Sequence, residues 1–394
     1  MIKKLLVLFV FLLNTFCIFA QNKEDEHLIK FIKGNISDKT TAVREASGSQ
    51  SIILAMKAID FSLENKEILG QDRELEGLAV AAIFSISPDY IKNANEAQKK
   101  IIVSQFIKLF KKFQTSSTVA ITTLTKYSSL YQYLQDEEFV EVLNDYLKTQ
   151  EFTKSDESIY KSILSTLQLA GNSESFLVLY ELYNDSKYSV LSEDLEKTLV
   201  VLSSKALNEI FALLETSEVA GLTKIFNLCK KNENFSKKTM CDISEKVILK
   251  SILLLGSSSA VSQEDVSVQL EALENLSNNK WTRASESAVA YFHFSEFLYN
   301  NKNMTESQFE TVIKCLSDIA PVDAILPLTT YLEELNRQKE DGREISSVII
   351  LSVINTLGAI GDKSAFDSLL AVTYLNYDES ILSAARKALS GLRW

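Results

Sequence analysis

Near the C-terminus the chain reads VINTLGAIGDKSAFDSLLAV, Val353 to Val372, and this short stretch fixes more about the fold than any other. Val353, Ile354, Leu357 and Ile360 recur at three- and four-residue spacing, which marks one face of a helix. Gly361 follows where a helix ends in a left-handed turn, a conformation that glycine enters cheaply. Asp362 is placed to cap a second helix by accepting from its orphan N–H groups, and that helix buries Ala365, Phe366, Leu369 and Leu370. Gly358 lies inside the first helix, where it costs about 1 kcal/mol relative to alanine. Close approach of a neighbouring helix is the compensation expected there.

The pattern returns. Ser162 to Tyr180 aligns with Ser352 to Leu370 at a constant offset of 190, pairing Thr166-Leu167 with Thr356-Leu357, Gly171 with Gly361, Asn172 with Asp362 and Phe176 with Phe366. At an offset of 41, Ile313, Leu316, Ile319 and Ala324 fall on Ile354, Leu357, Ile360 and Ala365. A period near 40 with two helices per unit belongs to helical solenoids, in which each pair buries its apolar faces against its neighbours. Composition agrees. Tight β connections consume glycine and proline, and this chain has 11 and 3 of them in 394 residues. Ser87-Pro88 is a helix start, a cap followed by proline at the first helical position.

The stretches LGAIGDKSAFDSLL and DESILSAARKALSGL resemble consecutive helices of HEAT repeats, which show leucine-glycine, then glycine-aspartate, then an Ala/Leu-rich helix. Thr40 to Ser47, TTAVREAS, resembles the opening of such a unit, and DAILPL, with Pro327 early in its helix, is similar to another form of it. The resemblance is specific over 305–392, fair over 160–202 and weak elsewhere. Residues 88–150 and 204–300 lack the glycine-aspartate turn, so HEAT-like and TPR-like units both stay open there. The resemblance implies an all-α superhelix, a single continuous array over 21–394, of roughly nine or ten antiparallel helix pairs.

Residues 1–20 have the order of a secretory signal peptide: Lys3 and Lys4, the apolar run Leu5 to Leu13, and Ile18-Phe19-Ala20 before Gln21. A lipoprotein signal on Cys17 is the alternative, with Phe16 standing where a small residue is expected. The reading is export to the periplasm or cell envelope, with no transmembrane helix in the mature chain. Removing the leader takes two lysines and no acid, which leaves the chain still more negative than its full-length net charge of −11. Such a body is a poor ligand for nucleic-acid phosphates.

Little in the sequence points to catalysis. His27 and His293 are the only histidines; His27 is expected to be solvated and His293, in AYFHFSEFLY, to be core or boundary. No zinc-ligand spacing, phosphate loop or nucleophile elbow is present, so no cofactor or metal is expected. Cys229 and Cys241 flank the polar link Asn232-Glu233-Asn234 and are a candidate disulfide in an oxidising compartment, with Cys315 left over; free buried thiols are the alternative.

Two features read as possible surfaces. Trp281, Tyr291, Phe292, Phe294, Phe297 and Tyr299 crowd one helix, and they divide between core and interface anchors. Tyr127, Tyr131 and Tyr133 pose the same choice. Lys224, Lys230, Lys231, Lys237 and Lys238 form a basic hairpin, and Lys99, Lys100, Lys108, Lys111 and Lys112 a second run. They read either as docking patches for anionic lipid or an acidic partner, or as solvated lysines favoured at helix C-termini. The expectation is a non-enzymatic scaffold or assembly factor of the cell envelope that binds other proteins along a repeat surface. A membrane-surface adaptor and an enzyme with an unrecognised site are the alternatives.

Overall fold

A computed structural model describes residues 26–256, 261 and 263–393. The leader, Cys17, Glu24-Asp25 and Trp394 lie outside the described residues. The protein is all-helical. Among the described residues the one β contact is an isolated bridge between Asp362 and Arg393. The chain divides into two compact units, one running to Ala206 and the other beginning at Leu207.

The first unit holds α1 (26–33), α2 (Ile36–Glu45), α3 (Ser49–Leu69), α4 (Arg73–Ser85), α5 (Pro88–Asn93), α6 (Glu96–Lys112), α7 (Ser117–Leu134), α8 (Glu138–Thr149), α9 (Glu157–Ala170), α10 (Ser173–Asn184) and α11 (Ser192–Ser203). Polar breaks in the sequence become helix starts. Asn35 with Asp38, Asn95 with Gln98 and Asn172 with Ser175 are reciprocal capping boxes, each worth about 1 kcal/mol. Neighbouring helices pair, and the pairs fall into two layers. One layer runs α2, α4, α7, α9, α11, and the other α3, α6, α8, α10. Phe106, Phe110, Tyr127 and Phe139 fill the space between the layers, all fully buried. Tyr127 packs edge-on against Phe139 at 4.6 Å, and its hydroxyl donates to the Asp136 carbonyl at 2.8 Å. It is therefore core and not a surface anchor.

The second unit follows the same plan with α12 (Leu207–Thr216), α13 (Val219–Lys230), α14 (Lys237–Gly256), α15 (Gln263–Asn278), α16 (Ser285–Asn300), α17 (Glu306–Ile319), α18 (Ile325–Glu340), α19 (Ser347–Ile360), α20 (Phe366–Val372) and α21 (Glu379–Ser390). One layer runs α13, α15, α17, α19, α21. The other joins α12 to α14, α14 to α16, and α18 to α20, and Phe292 of α16 meets Tyr331 of α18 at 5.9 Å.

Hydrogen bonds between helices of one layer step 26 to 45 residues along the chain, and several fall near 40. Ser85 Oγ donates to the Val43 carbonyl, 42 residues back, and Ser128 meets Thr166, 38 residues on. In the second unit Lys230 binds Glu271 at a step of 41, Ser287 binds Glu245 at 42, and Thr356 donates to the Ile313 carbonyl at 43. These bonds lie close to the offset of 41 read from apolar residues, whereas Lys148 to Glu174 steps 26 and Asn336 to Ser368 steps 32.

The C-terminal turn forms as its sequence predicts. Gly361 closes α19 in the left-handed conformation, with φ +73° and ψ +24°, and Asp362 accepts from the Ser364 N–H at 2.8 Å. A Cβ on Gly358 would lie 2.9 Å from the Ala388 Cβ, so the glycine is where α21 approaches α19. At Gly171 the local geometry departs from the aligned copy. This residue has φ −60° and ψ 158°, extended and not left-handed, although Asn172 caps α10 as expected.

Candidate functional site

The site is a trough between α16 and α18 of the second unit. Helical period turns Tyr291, Phe292, Ser295 and Leu298 inward and leaves His293, Glu296 and Phe297 facing out. In α18, Pro327 occupies the first turn, where its missing N–H costs nothing. Leu328, Tyr331, Leu332 and Leu335 point inward from there, while Leu326, Thr330 and Glu334 face the trough side. Two cavities of about 440 and about 380 Å³ share Glu296, Tyr331 and Glu334 as common walls. The first is closed by His293, Leu326 and Pro327, and the second by Tyr299, Gln338, Glu344 and Ser346.

The two central carboxylates differ in environment. Burial pushes the Glu296 carboxyl above its ordinary range; His293 opposes that and Glu334 adds to it. Its ion-pair contact is to His293 Nδ1 at 3.9 Å, an exposed imidazole. Glu334 is held low instead by the amide of Gln338, which donates to it at 2.9 Å, and by the adjacent Arg337 guanidinium. Arg343 contributes a weaker pull on Glu334. Tyr331, largely buried beneath both acids, has its hydroxyl pushed upward by burial and by Glu296. The arrangement can hold a positive charge in a partly dry setting.

One layer of the second unit exposes several large apolar side chains within its helices. Leu253 of α14, Phe297 of α16 and Leu326 of α18 are 71%, 58% and 74% exposed, with Leu249 beside Leu253 on its helix. Among the described residues, the layer of α13, α15, α17, α19 and α21 exposes only Val348 as a large apolar side chain within its helices.

The aromatic helix noted in the sequence is thus split. Tyr291 and Phe292 are core, Phe294, Tyr299 and Trp281 are half-buried, and Phe297 is exposed. The histidines exchange their expected places: His293 is exposed, and His27 is mostly covered, 3.9 Å from Glu45.

The basic hairpin is less cationic than its sequence suggests. Lys230 pairs with Glu271 at 2.8 Å, Lys246 pairs with Glu215, and Lys224 and Lys231 are also engaged. Lys230 and Lys237 border a cavity of about 250 Å³ with Cys229, Glu233, Asn275 and Asn279. Lys237 and Lys238 open α14, so they sit at the unfavourable end of the helix dipole and not at a favoured C-terminus. In the second run Lys99 binds Glu96, and Lys112 binds Glu67. Cys229, Cys241 and Cys315 are buried free thiols, so the candidate disulfide is not formed in this structure. Burial pushes Cys229 up to about 12 and Cys315 to about 11, which leaves little thiolate for nucleophilic chemistry.

Among the described residues no group of three or more His, Cys, Asp or Glu is placed to hold a metal ion. No described helix is long and apolar enough to cross a membrane. Compared with protein-family models and with curated proteins, the chain matches none.

Sequence reasoning missed the trough because Glu296 and Glu334 come from separate repeats. Only the stacking of α16 on α18 brings them together. The usable signal was the outward register of both helices, where acids and large apolar residues alternate.

Proposed function

We propose that this chain is an exported helical-repeat scaffold, a HEAT-like solenoid of roughly nine or ten pairs, which binds another protein of the cell envelope without turnover. The observation that carries the reading is the exposure of Leu253, Phe297 and Leu326 on one layer of the second unit. The bonds that step 38 to 43 residues between helices of one layer support the repeat assignment. Three of the ten lysines in the two basic runs, Lys230, Lys99 and Lys112, are ion-paired with acids of the chain, which reduces the charge open to lipid in the membrane-adaptor alternative.

The test is crosslinking of the mature chain in cells of its own source, with crosslinked peptides read by mass spectrometry. The expected result is a stoichiometric protein partner crosslinked near α14, α16 and α18. Leu253→Ser with Leu326→Ser is expected to abolish its capture while leaving helicity unchanged. Capture that survives both substitutions overturns the assignment of this face.

A further inference from the structure

We propose that the two units are tandem copies of one ten-helix module, each closed at its own end, and that residues 204–206 are a seam at which cooperative unfolding stops. This goes beyond the scaffold reading, which treats the helix pairs as one series.

Among the described residues each unit sets its longest helix in third place, α3 with 21 residues and α14 with 20. From there α4 and α6 to α11 answer to α15 to α21 in order, and α5 is left without a counterpart. The inner faces agree residue by residue. Leu54, Ala58 and Ile59 of α3 stand 189 places before Ile243, Val247 and Ile248 of α14, and all six are buried. Leu124, Tyr127 and Leu130 of α7 stand 189 places before Ile313, Leu316 and Ile319 of α17, again all buried. In α9 and α19 the interval is 190, and it joins buried Ile159, Ile163 and Leu164 to buried Ile349, Val353 and Ile354. An array of equal repeats would match itself at long intervals as well. These repeats are unequal, and the inequality recurs. Helix starts step 47 and then 42 residues through α3, α6 and α8, and 48 and then 40 through α14, α16 and α18.

The ends agree too. Tyr188 and Tyr377, 189 places apart, are buried just ahead of the last helix of each unit. The Gly171 carbonyl accepts from the Lys205 ammonium at 2.8 Å, and the Gly361 carbonyl from the Arg393 N–H at 2.8 Å. The first unit is thus finished in the way the second is, although its chain runs on. Outward positions are where the modules part. Exposed Glu64, Lys108 and Glu137 stand 189 places before exposed Leu253, Phe297 and Leu326. Close packing constrains the type of a buried side chain, whereas an exposed one is free to change. The apolar positions read above as a binding face therefore belong to the second module and not to the frame that both modules share.

The test uses the full mature chain with a sequence-specific protease site between Ala206 and Leu207, cut after folding. Urea unfolding followed by hydrogen exchange reads each unit separately. Two transitions are expected, and the cut is expected to move neither midpoint by more than about 0.5 M. A larger fall in either midpoint would show that one unit depends on the other and would overturn the proposal. Leu124→Ala and Ile313→Ala remove equivalent buried side chains from the uncut chain. Each is expected to lower protection in its own unit about tenfold or more, and to change the other unit by less than about twofold. Opening of both units by either substitution overturns the seam, even if the cut chain cannot be prepared. A large loss from one substitution and none from the other overturns the equivalence of the two positions.

Discussion

The turns after α9 and after α19 carry the same sequence signature and are made in different ways. Gly361 uses the left-handed conformation, whereas Gly171, its aligned partner, stays extended. Both end on the same solution for the exposed carbonyl. The Gly361 oxygen accepts from the Arg393 backbone N–H at 2.8 Å, and the Gly171 oxygen accepts from the Lys205 ammonium, also at 2.8 Å. In each case the donor lies just past the next helix of the same layer. What the repeat keeps is the closing of one pair by the next, and not the dihedral angles of the turn. Gly358 has no counterpart at the aligned position, where Gln168 stands. The close approach to Ala388 is therefore particular to the C-terminal pairs.

The largest effect is expected where backbone conformation is at stake. Gly361→Val places a β-branched residue at φ +73° and should cost the second unit about 2–3 kcal/mol, with total helicity retained and the first unit unaffected. Urea unfolding followed by hydrogen exchange separates the two units. If the whole chain lost protection at once, the picture of locally held repeats would fail. Gly361→Asn should cost clearly less, because asparagine tolerates the left-handed region. Gly171 provides the contrast. Its Cβ would meet the Leu167 carbonyl oxygen at 2.5 Å, so Gly171→Ala should cost about 1–2 kcal/mol through crowding, and asparagine should bring no relief. Relief by asparagine at both sites would mean that the two turns share one conformation after all.

The units differ again in where a polar group goes unmatched. In the first unit Asn144 of α8 is buried with neither amide atom hydrogen-bonded. In the second unit Ser251, Trp281 and Ser295 have such buried polar atoms, and Glu296, at the rim of a trough, meets only His293. Asn144→Leu is expected to stabilise the first unit by about 1 kcal/mol, because it removes two desolvated groups that gain nothing in return. A loss of stability would show that Asn144 has a role the packing does not reveal. The smallest effect concerns Glu296→Gln. Burial raises this carboxyl in the folded state, so folding is penalised once pH exceeds its ordinary value, and the penalty is complete above the raised one. Below the ordinary carboxylate range both states are protonated and no penalty exists. The substitution should therefore raise the urea midpoint of the second unit slightly at neutral pH and leave it unchanged in acid. A gain of equal size at both pH values would trace to packing and not to charge.

The parts of this molecule legible in the sequence are those set by local rules. Ser87-Pro88, Asn172 and Asp362 cap helices or turns where their types and spacing indicate, and Val353, Ile354 and Leu357 are buried as their period requires. Properties that depend on the next repeat were not legible. Lys230 looks like a free charge until Glu271 arrives from α15, and His293 looks like core until the helix is rotated by its neighbours. The trough belongs to this second kind, since neither α16 nor α18 contains it alone.

The short sequence steps between bonded helices also have a consequence in time. No helix within a unit waits for a distant part of the chain before it can bury its apolar face. Contacts this close in sequence close small loops, and small loops close fast. A chain emerging from its N-terminal end would therefore acquire structure in instalments. Within each unit, every new helix pair would find the one it packs against already assembled.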